Sequence, residues 1–120
     1  MSVSPGFQTF VLDQLRRAIP SVRARRMFGG VGLYGDDLFF ALIDDDIVYL
    51  KVDDSTRAEY ESRGLAQFRP PGVNAPSMNY YQLPEDLLED PDALRIWAEQ
   101  AVAVARRAKR KAPKRRGAKE

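Results

Sequence analysis

No cysteine and no histidine occur among the 120 residues. The first absence excludes disulfides, thiolate metal sites and thiol nucleophiles. The second removes the usual general base and the commonest zinc ligand, so any acid–base work would fall to Asp, Glu, Lys or Tyr. Long hydrophobic runs are missing too. No segment approaches the ~20 apolar residues of a membrane span, and the N-terminus MSVSPGFQTFVLDQLRR has no basic region followed by an apolar run. A cytoplasmic protein with no membrane partner is expected.

Acidic charge is scarce in one part of the chain only, its C-terminal end. Residues 1–105 carry 10 Lys+Arg against 16 Asp+Glu, a net of −6, and residues 106–120 carry 9 against 1, a net of +8. The overall +2 therefore hides an acidic body and a basic tail, an asymmetry that suggests contact with nucleic acid or another polyanion. With 44% hydrophobic and 30% charged residues the body has the balance of one globular domain.

Ser4-Pro5 reads as a helix start, and Phe7, Phe10, Val11, Leu15 and Ala18 recur at helical spacing until Pro20. From Val22 the runs become short, β-branched and aromatic: residues 25–28, 31–34, 38–43 and 47–52. The separators Gly29-Gly30, Gly35-Asp36-Asp37 and Asp44-Asp45-Asp46 have hairpin length, so these strands form an antiparallel meander. Thr56-x-x-Glu59 spells a capping box for a short helix through about Ser62 that stops at Gly64. Residues 67–68 and 77–83 read as two further strands joined by a proline-rich loop. Asp90-Pro91-Asp92 starts a long helix with an apolar stripe of Leu94, Trp97, Ala98, Ala101, Val104, Ala105 and Ala108, ending at Pro113. The sum is an α+β domain over residues 1–105, with helices on one face of a mainly antiparallel sheet. A basic tail, residues 106–120, continues the helix briefly and then loses regular structure.

Gly30-Val31-Gly32-Leu33-Tyr34-Gly35 matches G-x-G-x-x-G. A dinucleotide site needs a helix immediately after the glycines, whereas Asp36-Asp37 and a short apolar strand follow here. The glycines are therefore expected at bends or where another backbone comes close, with no cofactor. Seven aspartates fall between residues 36 and 54, and a hairpin of residues 38–43 with 47–52 would gather Asp36, Asp37, Asp53 and Asp54 at its open end. Oxygen ligands of this kind suit a hard cation, but the spacing is not that of an EF-hand and aspartate is also the expected turn and capping residue, so no metal is assigned. Tyr80 and Tyr81 face opposite sides of a strand, so at most one can join a stacking surface with Trp97. No catalytic residue stands out.

The tail residues Arg106, Arg107, Lys109, Arg110, Lys111, Lys114, Arg115 and Arg116 are candidates for non-specific contact with DNA or RNA through counterion release. They include no amide or aromatic side chain to read bases, and a tail that only aids solubility is the competing reading.

The run Arg25-Arg26-Met27-Phe28-Gly29-Gly30-Val31-Gly32-Leu33-Tyr34, with Leu50-Lys51-Val52-Asp53-Asp54 and Ser77-Met78-Asn79-Tyr80-Tyr81, resembles the N-terminal domain of the TfoX/Sxy family over roughly residues 7 to 108. The resemblance implies an α-β-α sandwich-like α+β domain with a mainly antiparallel sheet of about five strands. It also implies a regulator of natural competence, the uptake of DNA in transformation, that works with transcription machinery and is not an enzyme. The shared motif residues Arg26, Met27, Phe28, Gly29, Gly30, Gly32 and Tyr34 are expected to be structural. The family's namesakes carry a second, helical C-terminal domain where this sequence has its basic tail, so a stand-alone domain is expected. Its reading is that of a non-catalytic regulatory or adaptor module with protein partners and a homodimer through a sheet edge or the last helix. The alternative is a protein–protein module with no nucleic-acid role, and an Asp/Glu-based metal-dependent enzyme is the outsider.

Overall fold

The computed structural model describes residues 3–27, 30–69 and 77–117, and of residues 77–78 and 111–117 the backbone alone. Helix α1, Pro5–Ala18, begins with proline at its first position, where a missing N–H costs nothing. Its N-cap Ser4 makes no side-chain cap bond; instead the Ser4 N–H donates to Asp46 Oδ1 at 2.8 Å and ties the helix start to a hairpin turn. Val11 and Leu15 bury the inner face completely.

The sheet follows: β1 Arg23–Met27, β2 Gly30–Gly35, β3 Leu38–Asp44 and β4 Ile47–Lys51 form the expected antiparallel meander. Both tight turns among the described residues are made by aspartates. Asp36 and Asp37 have φ of 52° and 63°, and Asp45 and Asp46 have 54° and 58°. Two successive left-handed residues match the right-handed twist of the flanking strands, and aspartate tolerates that region better than most non-glycine residues. A bulge interrupts the β2–β3 ladder: Leu33 pairs with Ala41 but Tyr34 with Phe39, leaving Phe40 as an extra residue on β3. Phe39 consequently turns away from the helices while Phe40 and Ala41 both enter the core with no exposed surface.

Helix α2, Arg57–Ser62, ends before Gly64 at φ 72° as the sequence suggests. The capping box does not form. Thr56 makes no cap bond and its hydroxyl accepts from the Asp53 N–H at 3.1 Å, while the Asp53 carboxylate takes the Ser55 N–H at 3.0 Å and the Ser55 hydroxyl at 2.6 Å. A shorter acceptor three residues upstream organises the turn first. Strands β5 Gln67–Phe68 and β6 Ser77–Gln82 complete a six-stranded antiparallel sheet of order β1-β2-β3-β4-β6-β5. The six strands fall on the six runs read from the sequence, one more than the family resemblance implies.

A 3-10 turn, Glu85–Glu89, drops Leu87 and Leu88 into the core, and its Leu88 carbonyl accepts from Gln14 Nε2 at 2.7 Å. Helix α3 runs Pro91–Gly117, opened by Asp90, whose Oδ1 accepts the Ala93 N–H at 3.3 Å. Its backbone stays helical through Pro113, where the apolar pattern ends. Leu94, Ala98, Ala101, Val102, Val104 and Ala105 are buried, and Ala108 at the far end of the expected stripe is exposed. The core lies between α1, α3 and one sheet face, where Leu33, Phe40, Ile43, Leu50 and Leu94 lose all contact with water. Each such side chain contributes on the order of 1.5–3 kcal/mol by burial. Among the described residues no helix lies on the opposite sheet face, and none is long and apolar enough to cross a membrane.

Candidate interaction surface

The three glycines of the G-x-G-x-x-G run that begins at Gly30 all lie inside β2, and the aspartate turn and β3 follow Gly35 directly. No helix amide end is presented to an anion there. The glycines are therefore not bends, as the sequence reading allowed, because the chain reverses at Asp36-Asp37. They serve close approach instead. A Cβ on Gly30 would collide with the Ile43 carbonyl oxygen of the paired strand. One on Gly32 would lie 2.5 Å from Met27 Cε, and one on Gly35 only 3.2 Å from Ile19 Cγ2. Of the shared motif, Met27 covers Gly32, Tyr34 lies on the open sheet face and Arg26 is exposed on edge strand β1; Phe28 and Gly29 lie outside the described residues.

Strand alternation places a row of rings across the open face. Tyr34 stacks on Phe39 with centroids 5.3 Å apart and planes 25° apart, and Phe39 reaches Tyr80 at 5.6 Å. Tyr49 and Phe68 form a second pair at 5.0 Å. Cations flank the first row: the Arg23 guanidinium lies 4.9 Å from the Tyr34 ring centre and the Lys51 ammonium 5.0 Å from that of Tyr80. Burial lowers the Lys51 pKa from its ordinary value and raises that of Tyr80, because both lose water around their charged forms. Tyr34, Phe39 and Tyr49 remain half-buried, whereas Leu42, Phe68 and Tyr80 are nearly sealed. The sequence reading considered Tyr80, Tyr81 and Trp97 and missed Tyr34, Phe39 and Tyr49, although the period of two in β2 and β4 carries the signal. Tyr80 and Tyr81 do face opposite sides. Tyr81 donates to Glu61 Oε2 at 2.7 Å on the helix side, where Trp97 meets Tyr60 edge-on at 4.9 Å.

The aspartates expected to gather at the hairpin's open end are instead each met by a separate arginine, Asp37 by Arg23, Asp54 by Arg57, and Asp36 and Asp53 by two arginines from α3. Arg106 reaches Asp36 at 3.6 Å, and Arg107 donates through Nη2 at 2.7 Å and Nε at 3.1 Å to Asp53 Oδ2. Partial burial would raise the Asp53 pKa, but the hydrogen bonds from Ser55 and Arg107 outweigh it and hold the carboxyl at about 2. Among the described residues no three carboxylates converge. Arg106 and Arg107 therefore face the body, while Lys109 and Arg110 are exposed farther along α3. Lys111, Lys114, Arg115 and Arg116 continue on helical backbone, their side chains outside the description. The arrangement offers flat aromatic area, cationic rims and strand edges, all suited to contact with macromolecules.

Comparison with known proteins agrees with this architecture. The sequence model of the TfoX N-terminal domain matches residues 13–105. "DNA transformation protein TfoX1" of Aliivibrio fischeri is 29% identical over 83 residues, a stretch covering 68% of this chain and 40% of that protein. The chain thus spans well under two thirds of that relative's length.

Proposed function

The chain belongs to the TfoX N-terminal domain family, and from that premise we propose that it is a non-catalytic regulatory or adaptor domain of the kind found in regulators of DNA transformation. The match over residues 13–105 carries this reading, because it takes in the body from the second half of α1 to the last buried turn of α3. Protein contact is the role of the body. Its net charge of −6 repels a duplex, and it presents a sheet face and strand edges beside the outer faces of its helices.

The tail is an auxiliary contact to nucleic acid. Arg106 and Arg107 are paired with Asp36 and Asp53, so the charge available to phosphates begins at Lys109, one turn beyond the body. The same pairing favours the second reading, in which the tail only aids solubility. A duplex-binding titration in salt decides between them, comparing the full chain with one ending at Ala108 so that both pairings are kept. The full chain should lose affinity with a slope of about −0.9 per phosphate neutralised in log K against log salt, and the shortened chain should bind hardly at all. Equal weak binding by both ends the nucleic-acid role. Co-purification with and without nuclease then tests the body: a partner retained after nuclease is held by the folded domain.

A further inference from the structure

Among the described residues strand β1 stands at the end of the sheet and pairs with β2 alone, so one side of its backbone along Arg23–Met27 has no hydrogen-bond partner there. In an antiparallel pair alternate residues turn their N–H and C=O groups to the neighbour and the others turn them away, so this free side is a template for one more strand. Its charge is distinctive. Five of the ten basic residues in 1–105 are Arg16, Arg17, Arg23, Arg25 and Arg26, and no acidic residue lies between positions 16 and 26. An acidic body therefore carries a concentrated basic edge.

Elsewhere arginines find carboxylates: Arg57 with Asp54, Arg63 with Glu59, Arg95 with Asp92 and Arg107 with Asp53. Arg23 pairs with Asp37 at 3.1 Å. Arg25 and Arg26 are exposed and have no ion-pair partner among the described residues. Their cross-strand neighbours cannot supply one, since Arg25 faces Gly32 and Arg26 faces Val31. The two arginines point to opposite faces of the sheet, so an added strand would need acids on both sides to satisfy them.

We propose that the β1 edge docks an extended acidic peptide segment of a partner protein, which adds a seventh strand to the sheet and sets carboxylates against Arg25 on the open face and Arg26 on the helix face. This deepens the protein-contact reading of the body and rests on it. A second copy of the chain does not fit the edge, because antiparallel β1 strands would bring arginines against arginines. Nucleic acid fits less well than peptide, because a phosphate chain offers no N–H and C=O row for the free backbone.

The probe is the fluorescein-labelled peptide TEEVEVT, whose glutamates meet Arg23, Arg25 and Arg26 when it lies antiparallel to β1. Anisotropy should rise with the full-length protein and not with TKKVKVT. The double variant Arg25→Glu/Arg26→Glu should bind TEEVEVT at least about tenfold more weakly and should gain binding of TKKVKVT. Two peptides of the same charge, each N-methylated on one alternate set of amides, test the strand itself without altering the protein. Only the set facing β1 should lose binding. Equal retention by both methylated peptides, or no binding of TEEVEVT by the native protein, overturns the proposal. Displacement of TEEVEVT by a short single-stranded oligothymidylate that binds more tightly, with loss of both in the double variant, assigns the edge to nucleic acid and overturns it as well. Co-purification after nuclease tests the protein-contact reading without these peptides, so a partner retained there with no binding of TEEVEVT sinks the edge and leaves that reading standing.

Discussion

Neutralising Asp53 should destabilise the fold by about 1 kcal/mol near neutral pH, and by progressively less as pH falls towards about 2. The carboxyl is held at about 2 against an ordinary value of 3.8. At about 1.4 kcal/mol per pKa unit the depression corresponds to an upper limit of about 2.5 kcal/mol. The pair is partly open to water, Arg107 by 46% and Asp53 by 35% of the side chain, so solvent screening reduces the figure to about 1 kcal/mol. The sign follows from the direction of the shift: a carboxyl with a lowered folded pKa contributes fully above its unfolded value and loses that contribution as pH drops from about 4 to about 2. Asp53→Asn keeps an acceptor for the Ser55 N–H but removes the charge that Arg107 grips. Urea unfolding of the native and variant proteins at several pH values is the assay, with a midpoint difference of roughly 3–6 °C expected in a parallel thermal melt near neutrality. A double-mutant cycle with Arg107→Gln isolates the pair itself. A difference that stays constant from neutral pH down to about 2.5, or a coupling of zero, would refute the reasoning.

Other substitutions probe the backbone and the core. Gly30→Ala should cost about 2–3 kcal/mol in urea melts, since its Cβ meets the fixed Ile43 carbonyl, while Gly6→Ala on open helix surface should gain up to about 1 kcal/mol. Asp37→Gly relieves a left-handed residue at φ 63° and gives up only an exposed pair with Arg23, so a net gain of about 0.5 kcal/mol is expected; a loss would place the turn's stability in that pair. Phe40→Ala should cost about 3–5 kcal/mol, and Ile96→Ser, at a position 56% exposed, should fall within about 0.5 kcal/mol of native, which together check the facing of β3 and α3.

What could be read in the residues was what neighbours in sequence decide. The four-strand meander was legible because paired aspartates punctuate it, and α1 and α3 because Pro5 and Asp90-Pro91 mark their starts. The joining of β6 to β4 was not, since that pairing depends on contacts across the sheet and leaves no local periodicity. The 3-10 turn Glu85–Glu89 was hidden for a similar reason: one turn with two buried leucines is too short to show a helical period. At the candidate surface, the tail's charge was evident in sequence, but its division at Ala108 was not, because the partners of Arg106 and Arg107 come from turns far away along the chain. The capping box failed because Asp53 takes over the turn that Thr56 and Glu59 mark in the sequence. Arg25 and Arg26 were visible as a motif; that they lie unpaired on a sheet edge follows only from the register of β1.

The surplus residue in β3 gives that strand an unusual tolerance. Deleting Phe40 alone would restore a regular ladder in which Leu38, Ala41 and Ile43 still point to the core and Phe39, Leu42 and Asp44 still point away, so the damage would be confined to one missing ring. Deleting Leu42, two positions on, would instead invert the side on which every residue at one end of the strand emerges. Length variants at these two positions would thus separate the loss of a packed side chain from the loss of sidedness itself.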